Sequence, residues 1–250
     1  MLNNAWPGMI WHLYDWYLRP GGSYFGAKKA CEPLHVQYSY DDRSVVVVNS
    51  YYQAFPKLKL TAQVLNLDGT GKFSREAVVD AAPDSSTRVF ALPEMAGLSS
   101  TWFVSLTLAG APGMEPSRNF YWLSTKPETL DWDKSDWYHT PTKTFADFTA
   151  LNTMPEVYLN VEARSQEGIT TVRLRNPEHA IAFGVHVTVK KGPDGEEVLP
   201  VLWQDNYLAL LPGETRQVTA TYNARDLGKA PAFVEVEGWN VKRRVAEPRP

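Results

Sequence analysis

Cysteine is nearly absent. Cys31 is the single one in 250 residues, so no internal disulfide framework can hold this fold together. No apolar stretch approaches the roughly 18–20 residues that a membrane-spanning helix needs, so no membrane contact of that kind is expected. Positive charge is not in excess either. Lys and Arg total 25 against 28 Asp and Glu, a formal net charge of −3 without a long basic run. That balance argues against nucleic acid as the main partner. The compositional marks of disorder are also missing, because 44% of residues are hydrophobic and 21% charged. A chain of this length can bury a real core, and at roughly 100–150 residues per domain it predicts two domains. The first residues have neither a basic segment nor an apolar segment with a cleavage site, and so do not read as a secretion signal.

Patterns that carry chemistry are lacking too. There is no His-Glu-x-x-His, no Gly-x-Ser-x-Gly and no phosphate-binding Walker loop. His12, His35, His139, His179 and His186 are scattered, and each reads as an ordinary surface or packed histidine. Cys31, late in a short helix with no base beside it, reads as a small buried hydrophobe. Asp41-Asp42 suits a hairpin turn. Asp131, Asp133 and Asp136 lack the Gly and terminal Glu of a calcium loop and read as a solvated acidic face. Glu235 and Glu237 share one strand face, expected to meet solvent. The chain is therefore expected to hold no catalytic residue, no metal site and no cofactor.

What the sequence does have is aromatic surface at its start. Trp6, Trp11, Tyr14, Trp16, Tyr17, Tyr24 and Phe25 all fall within the first 25 residues. So much ring surface is normally buried against something large, and the chain reads as cut from a longer one. Residues 1–33 predict a short strand, an irregular aromatic loop and a helix over Tyr24–Ala30, capped by Ser23 and ended by Glu32-Pro33. Such a short helix is marginal alone and is expected to dock on the domain that follows it.

From Leu34 the hydrophobic period changes to two. His35–Tyr40, Ser44–Ser50, Leu58–Leu67, Phe73–Val79, Thr87–Leu92, Thr101–Leu108 and Arg118–Leu123 read as strands separated by turn residues. Seven strands in about 90 residues is the count of an immunoglobulin-like sandwich, assigned to 34–124. Residues 125–154 read as an ordered connector whose Trp132, Trp137 and Tyr138 pack on neighbouring domains. A second sandwich over 155–245 is read from Val157–Arg164, Thr170–Arg175, Ile181–Lys190, Glu197–Leu199, Tyr207–Leu211, Gln217–Tyr222 and Phe233–Val241. Gly192-Pro193-Asp194-Gly195 and Leu211-Pro212-Gly213-Glu214 mark turns within it. Val185, Val187 and Val189 fall on one strand face, with His186, Thr188 and Lys190 on the other. The polar tail after Ala246 is expected to fray.

The run from Asn3-Asn4-Ala5-Trp6-Pro7-Gly8 through Trp11-His12-Leu13-Tyr14-Asp15-Trp16-Tyr17 to Lys28-Lys29-Ala30 closely resembles one stretch of glycoside hydrolase family 2. The similarity is closest to the exo-β-D-glucosaminidase and β-mannosidase-like branch. Further matches are Glu32–Asp42, Trp132–Tyr138, Phe145–Leu151 and Leu202-Trp203-Gln204-Asp205-Asn206-Tyr207 through Glu214. The resemblance implies a mainly β chain with two immunoglobulin-like sandwiches, preceded by the last strand and helix of a TIM barrel at 1–33. Members are retaining enzymes, and both catalytic Glu would lie upstream of Met1, so this chain alone is expected to be inactive. Trp6 matches an aromatic wall of the sugar pocket, and Asn3 and Asn4 are expected to meet sugar hydroxyls. The implied partners are the catalytic barrel of a parent enzyme and a β-linked oligosaccharide, in an extracellular or periplasmic setting. The implied role is a non-catalytic accessory region that braces the barrel and shapes substrate access. A free-standing carbohydrate-binding protein is the competing reading, with Trp132, Trp137, Tyr138, Trp203, Tyr207 and Trp239 as glycan-facing aromatics. Residues 1–33, severed from a barrel, would also favour a truncation-driven dimer.

Overall fold

A computed structural model describes Trp6 and residues 12–249. Residues 29–154 gather around one core, while the described residues up to 28 join 155–249 around another. The boundary falls inside a helix, α1 (Gly22–Ala30).

The first core is a sandwich of seven strands: β1 (Leu34–Tyr38), β2 (Ser44–Asn49), β3 (Phe55–Asn66), β4 (Gly71–Ala81), β5 (Ser85–Ala91), β6 (Thr101–Ala109) and β7 (Ser117–Ser124). They form two antiparallel sheets, β1-β2-β5 and β4-β3-β6-β7. Period-two burial fixes which face turns inward. Val45 and Val47 of β2 meet Leu58, Leu60, Ala62 and Val64 of β3, all fully buried. Hydrogen bonds also tie the two sheets together. Asn119 Nδ2 donates to the Val36 carbonyl at 2.8 Å, and the Tyr38 N–H donates to the Tyr121 hydroxyl at 3.1 Å. At the end of β2 the buried Asn49 donates to the Gln53 and Ala82 carbonyls at 2.8 and 2.7 Å and accepts from Tyr51 N–H at 3.0 Å. That one amide closes a bend whose backbone groups have no ladder partner. Asp42 stands at the turn, as expected, accepting from Ser44 N–H at 2.9 Å and pairing with Arg88 at 3.0 Å.

The second core carries β10 (Asn160–Gln166), β11 (Ile169–Arg175), β12 (Ala182–Lys191), β13 (Leu202–Trp203), β14 (Leu208–Leu210), β15 (Thr215–Thr221), β16 (Ala232–Glu237) and β17 (Arg244–Ala246); two short strands of the connector, β8 (Thr129–Leu130) and β9 (Thr142–Thr144), precede them. The sheets are β10-β11-β15-β13 and β14-β12-β16-β17. Val185, Val187 and Val189 are fully buried, as their parity requires. Gly195 admits no side chain, because a Cβ there would stand 1.7 Å from the Lys191 carbonyl oxygen. The turn needs that close approach to let Lys191 N–H donate to Glu196 at 2.9 Å.

Several expectations are corrected. Glu197–Leu199 is no strand but a single bridge, Lys190↔Glu197. Strand β16 stops at Glu237, since Gly238 packs against Val241 and the Phe183 carbonyl. The tail does not fray, because Arg249 bonds the Ala163 carbonyl at 2.9 Å and accepts from Ser165 N–H at 3.1 Å. Glu235 is not solvated. Its side chain is 12% exposed under Lys190 and Arg243, and these cations outweigh the burial that would raise its pKa and hold it low. Cys31 is exposed, one residue beyond α1 and outside either core. Helix α1 begins two residues before Tyr24, and Ser23 does not cap it; its hydroxyl donates to the His12 carbonyl at 3.1 Å. Nor does α1 dock on the sandwich that follows. Phe25, its one buried residue, enters the core of the second sandwich. The strand expected ahead of the aromatic loop falls outside the described residues.

Two outcomes follow from this packing. Asn49→Ala strands two carbonyls and an N–H, and at about 1–3 kcal/mol per buried group left unpaired should lower the stability of the first sandwich by at least 2 kcal/mol in urea unfolding. The Cys31 thiol should react fully with an aromatic disulfide reagent without denaturant; protection until unfolding would contradict its placement.

Candidate functional site

The second core is organised around the link between β13 and β14. Asn206 is 3% exposed and faces Val187 of β12 as a strand would. Its Oδ1 accepts from Val187 N–H and its Nδ2 donates to the Val187 carbonyl, both at 2.8 Å. The side chain thus continues the pairing of β14 with β12 beyond Val185↔Leu208. Clamping Asn206 forces its neighbour into an uncommon conformation: Tyr207 has φ of +53°. A bulky residue holds that state only when its surroundings over-determine it.

Those surroundings are rings. Tyr207 stacks on His186 at 4.6 Å with planes 17° apart, and lies 6.0 Å from Phe25. Phe25 meets Tyr24 edge-on at 5.0 Å, and Tyr24 meets Tyr14 at 4.9 Å. Gly22 opens α1 directly over the Tyr207 ring, where a Cβ would stand 3.7 Å away. Charged groups secure both ends of the seat. Arg19 Nε donates to Glu197 Oε2 and the same guanidinium faces Asp15 at 3.6 Å. Lys28 Nζ donates to the Trp203 and Gln204 carbonyls at 3.0 and 2.8 Å. Asp15 in turn shapes the loop, accepting from Tyr17 and Arg19 N–H at 2.8 and 2.9 Å. Burial, then the Tyr24 hydroxyl, pushes the Tyr14 phenol up to about 12. Burial also holds the His186 imidazole below its ordinary value, overcoming the pull of Glu197 and Glu237.

The structure brings few of the sequence candidates together. Asn3 and Asn4 lie outside the described residues, and Trp6 is 72% exposed. Trp203 is 3% exposed and belongs to the second core, so its ring cannot face a glycan as expected. Tyr207 is partly exposed but committed to His186 and Phe25. Trp239 is exposed. The connector rings Trp132, Trp137 and Tyr138 are all exposed, Trp137 by 92%. Hydrogen bonds rather than ring burial fix that segment, because Asp136 Oδ1 accepts from Tyr138 and His139 N–H at 3.0 and 2.8 Å. Among the described residues, no three His, Cys, Asp or Glu side chains gather as a metal site, and no helix is long and apolar enough to cross a membrane. Sequence reasoning missed Arg19, Lys28, Glu197 and Asn206. Only Asn206 carried a signal, as an amide set just before the apolar run Leu208–Leu211.

Comparison with known proteins meets this geometry. Residues 137–241 match the exo-β-D-glucosaminidase Ig-fold domain, and residues 41–126 the mannosidase Ig/CBM-like domain. The exo-β-D-glucosaminidase of Streptomyces avermitilis is 45% identical over 252 residues, covering 96% of this chain and 28% of that enzyme. Its counterpart from Amycolatopsis orientalis is 43% identical, over 96% of this chain and 24% of that protein. The crystal structure of the Amycolatopsis orientalis exo-chitosanase superposes with a TM-score of 0.92 at 41% identity, covering 99% of this chain and 30% of the other. The chain thus spans under a third of the relatives it matches. The two immunoglobulin-like domains of this chain are Ig-fold domains of the exo-β-D-glucosaminidase and mannosidase family within glycoside hydrolase family 2.

Proposed function

We propose that this chain is the non-catalytic C-terminal accessory region of a retaining β-glycosidase of the exo-β-D-glucosaminidase or β-mannosidase-like kind. It braces the catalytic barrel and shapes access of a β-linked oligosaccharide. The observation that carries this reading is the seat of residues 12–28 on the second sandwich. Those residues resemble the end of the family's barrel, and here three rings, Arg19 and Lys28 bind them to a β-sandwich. A module so attached holds the last barrel segment in place without contributing a carboxylate pair. Trp6, with Asn3 and Asn4, is the part of the chain assigned to the sugar, its indole stacking on a pyranose face. Barrel closure needs eight strands, which one segment cannot supply.

The test has two arms. The purified chain, at high concentration, should not hydrolyse chromogenic β-glucosaminide or β-mannoside. The Streptomyces avermitilis enzyme with its matching segment replaced by this chain should fold and cleave β-glucosaminide. Turnover by the chain alone, or a folded but inactive hybrid, would overturn the reading. Within the isolated chain, Tyr207→Ala removes the ring on which α1 rests. It should cost roughly 2 kcal/mol, below a fully buried aromatic because Tyr207 is partly exposed, and should speed proteolysis within residues 12–28.

The seat also responds to pH. An unfolded histidine titrates near 6.5 and the folded His186 below it. Between those values the unfolded chain binds the extra proton, so this contribution is intact above 6.5 and is lost as pH falls toward the folded value. His186→Phe keeps a ring on Tyr207 without a titrating group. The melting temperature of the native chain should therefore fall relative to that variant between pH 7.5 and 5; parallel curves would remove His186 from the pH response.

A further inference from the structure

The connector between the sandwiches spends its largest side chains on solvent. Trp132, Trp137 and Tyr138 are 71%, 92% and 66% exposed on one loop of the β8–β9 hairpin. Exposed aromatics on a mobile loop would mean little, but this loop is held. Thr129 and Thr144 join their hydroxyls across the hairpin base, and Asp131 N–H donates to the Pro141 carbonyl at 2.8 Å. A short 3₁₀ turn over Trp132–Lys134 follows, braced by the Lys134–Asp131 ion pair at 3.0 Å. Beyond it Ser135 meets Thr140 at 2.8 Å, Asp136 N–H donates to His139 O at 2.9 Å, and the Asp136 carboxylate holds two further N–H groups. The backbone that carries the rings is thus preset, which lowers the ordering cost when they are covered.

Their geometry favours one occupant over another. A sugar platform wants coplanar rings, whereas the Trp137 and Tyr138 planes meet at 59° with centroids 4.8 Å apart. Two rings so inclined form a wedge, which fits a cleft between protein side chains. Trp and Tyr are also the residues that dominate protein interfaces. The chain covers 28% of a relative 45% identical to it, so most of such an enzyme's length lies outside these residues. We propose that the Trp132–Tyr138 loop is a docking wedge for that remaining part of the parent glycosidase. Its receptor is an apolar cleft with acceptors for the indole N–H groups and donors at a rim facing Asp133 and Asp136. This inference rests on the accessory-region reading above.

The hybrid enzyme tests it with Trp137→Ala, and with Tyr52→Ala as a control on a ring 93% exposed elsewhere. In the isolated chain both variants should leave the melting temperature within about 1 °C of the parent, because neither ring is buried. In the hybrid, Trp137→Ala should shorten the half-life of activity at elevated temperature at least threefold and speed proteolysis at the connector, while Tyr52→Ala does neither. An active hybrid in which both variants are equally silent overturns the wedge and leaves the accessory reading standing. A folded hybrid without activity strikes at the accessory reading instead. Loss of chitosan-oligomer affinity with unchanged stability would make the loop a glycan face, and a dimer of the isolated chain abolished by Trp137→Ala would make the occupant a second copy. Either result overturns the proposal.

Discussion

A single carboxamide governs how the second sandwich is assembled. With both its donor and its acceptor on Val187, Asn206 can sit in only one orientation. That orientation twists the next residue into the left-handed region and aims its ring at His186 and at α1. The ring that the sandwich offers to α1 follows from there, while Glu197 and the Trp203 and Gln204 carbonyls hold Arg19 and Lys28. Two more buried amides act alike at the far ends of the same strands. Asn176 donates to the Ala180 and Leu210 carbonyls, while Asn240 bridges Pro155, Ile181 and Phe183. Each amide is costly to bury unpaired and specific once paired, so each excludes alternative registers that valine against valine would permit.

The two cores solve the same problem with different means. The first pairs long strands, with β3 and β6 in continuous register from Lys59↔Ala109 to Asn66↔Trp102. The second interrupts the β12–β14 pairing with a bulge, uses short bridges, and makes good the lost ladder bonds with side chains. Interruption is what gives it a surface able to seat α1. A continuous β12–β14 ladder would leave no place for Tyr207 to turn outward.

Strand positions were legible wherever apolar residues alternated, as in β3, β6 and β12. They were illegible where pairing depended on partners remote in sequence. Leu202–Trp203 carries no alternation of its own and becomes a strand only because β15 is there to receive it. Polarity misled in both directions. The pattern of its strand places Glu235 in solvent, yet the cations that cover it come from Lys190 and Arg243, positions that one strand's pattern cannot connect. Aromatic content in the connector predicts burial, whereas hydrogen bonding within the loop fixes the backbone and leaves the rings exposed. The seat of α1 was unreadable for a related reason: Phe25 and Tyr207 are separated by most of the chain.

The docking of Arg249 against β10 has a meaning beyond order at a terminus. Strand β10 lies at the margin of its sheet, where unsatisfied main-chain groups invite another molecule to add itself. A parallel bridge, Arg164↔Arg249, occupies part of that margin, the main chain of Arg249 bonding that of Ala163 and Ser165. The fold thereby carries its own guard against polymerisation, built from the segment that looked most expendable.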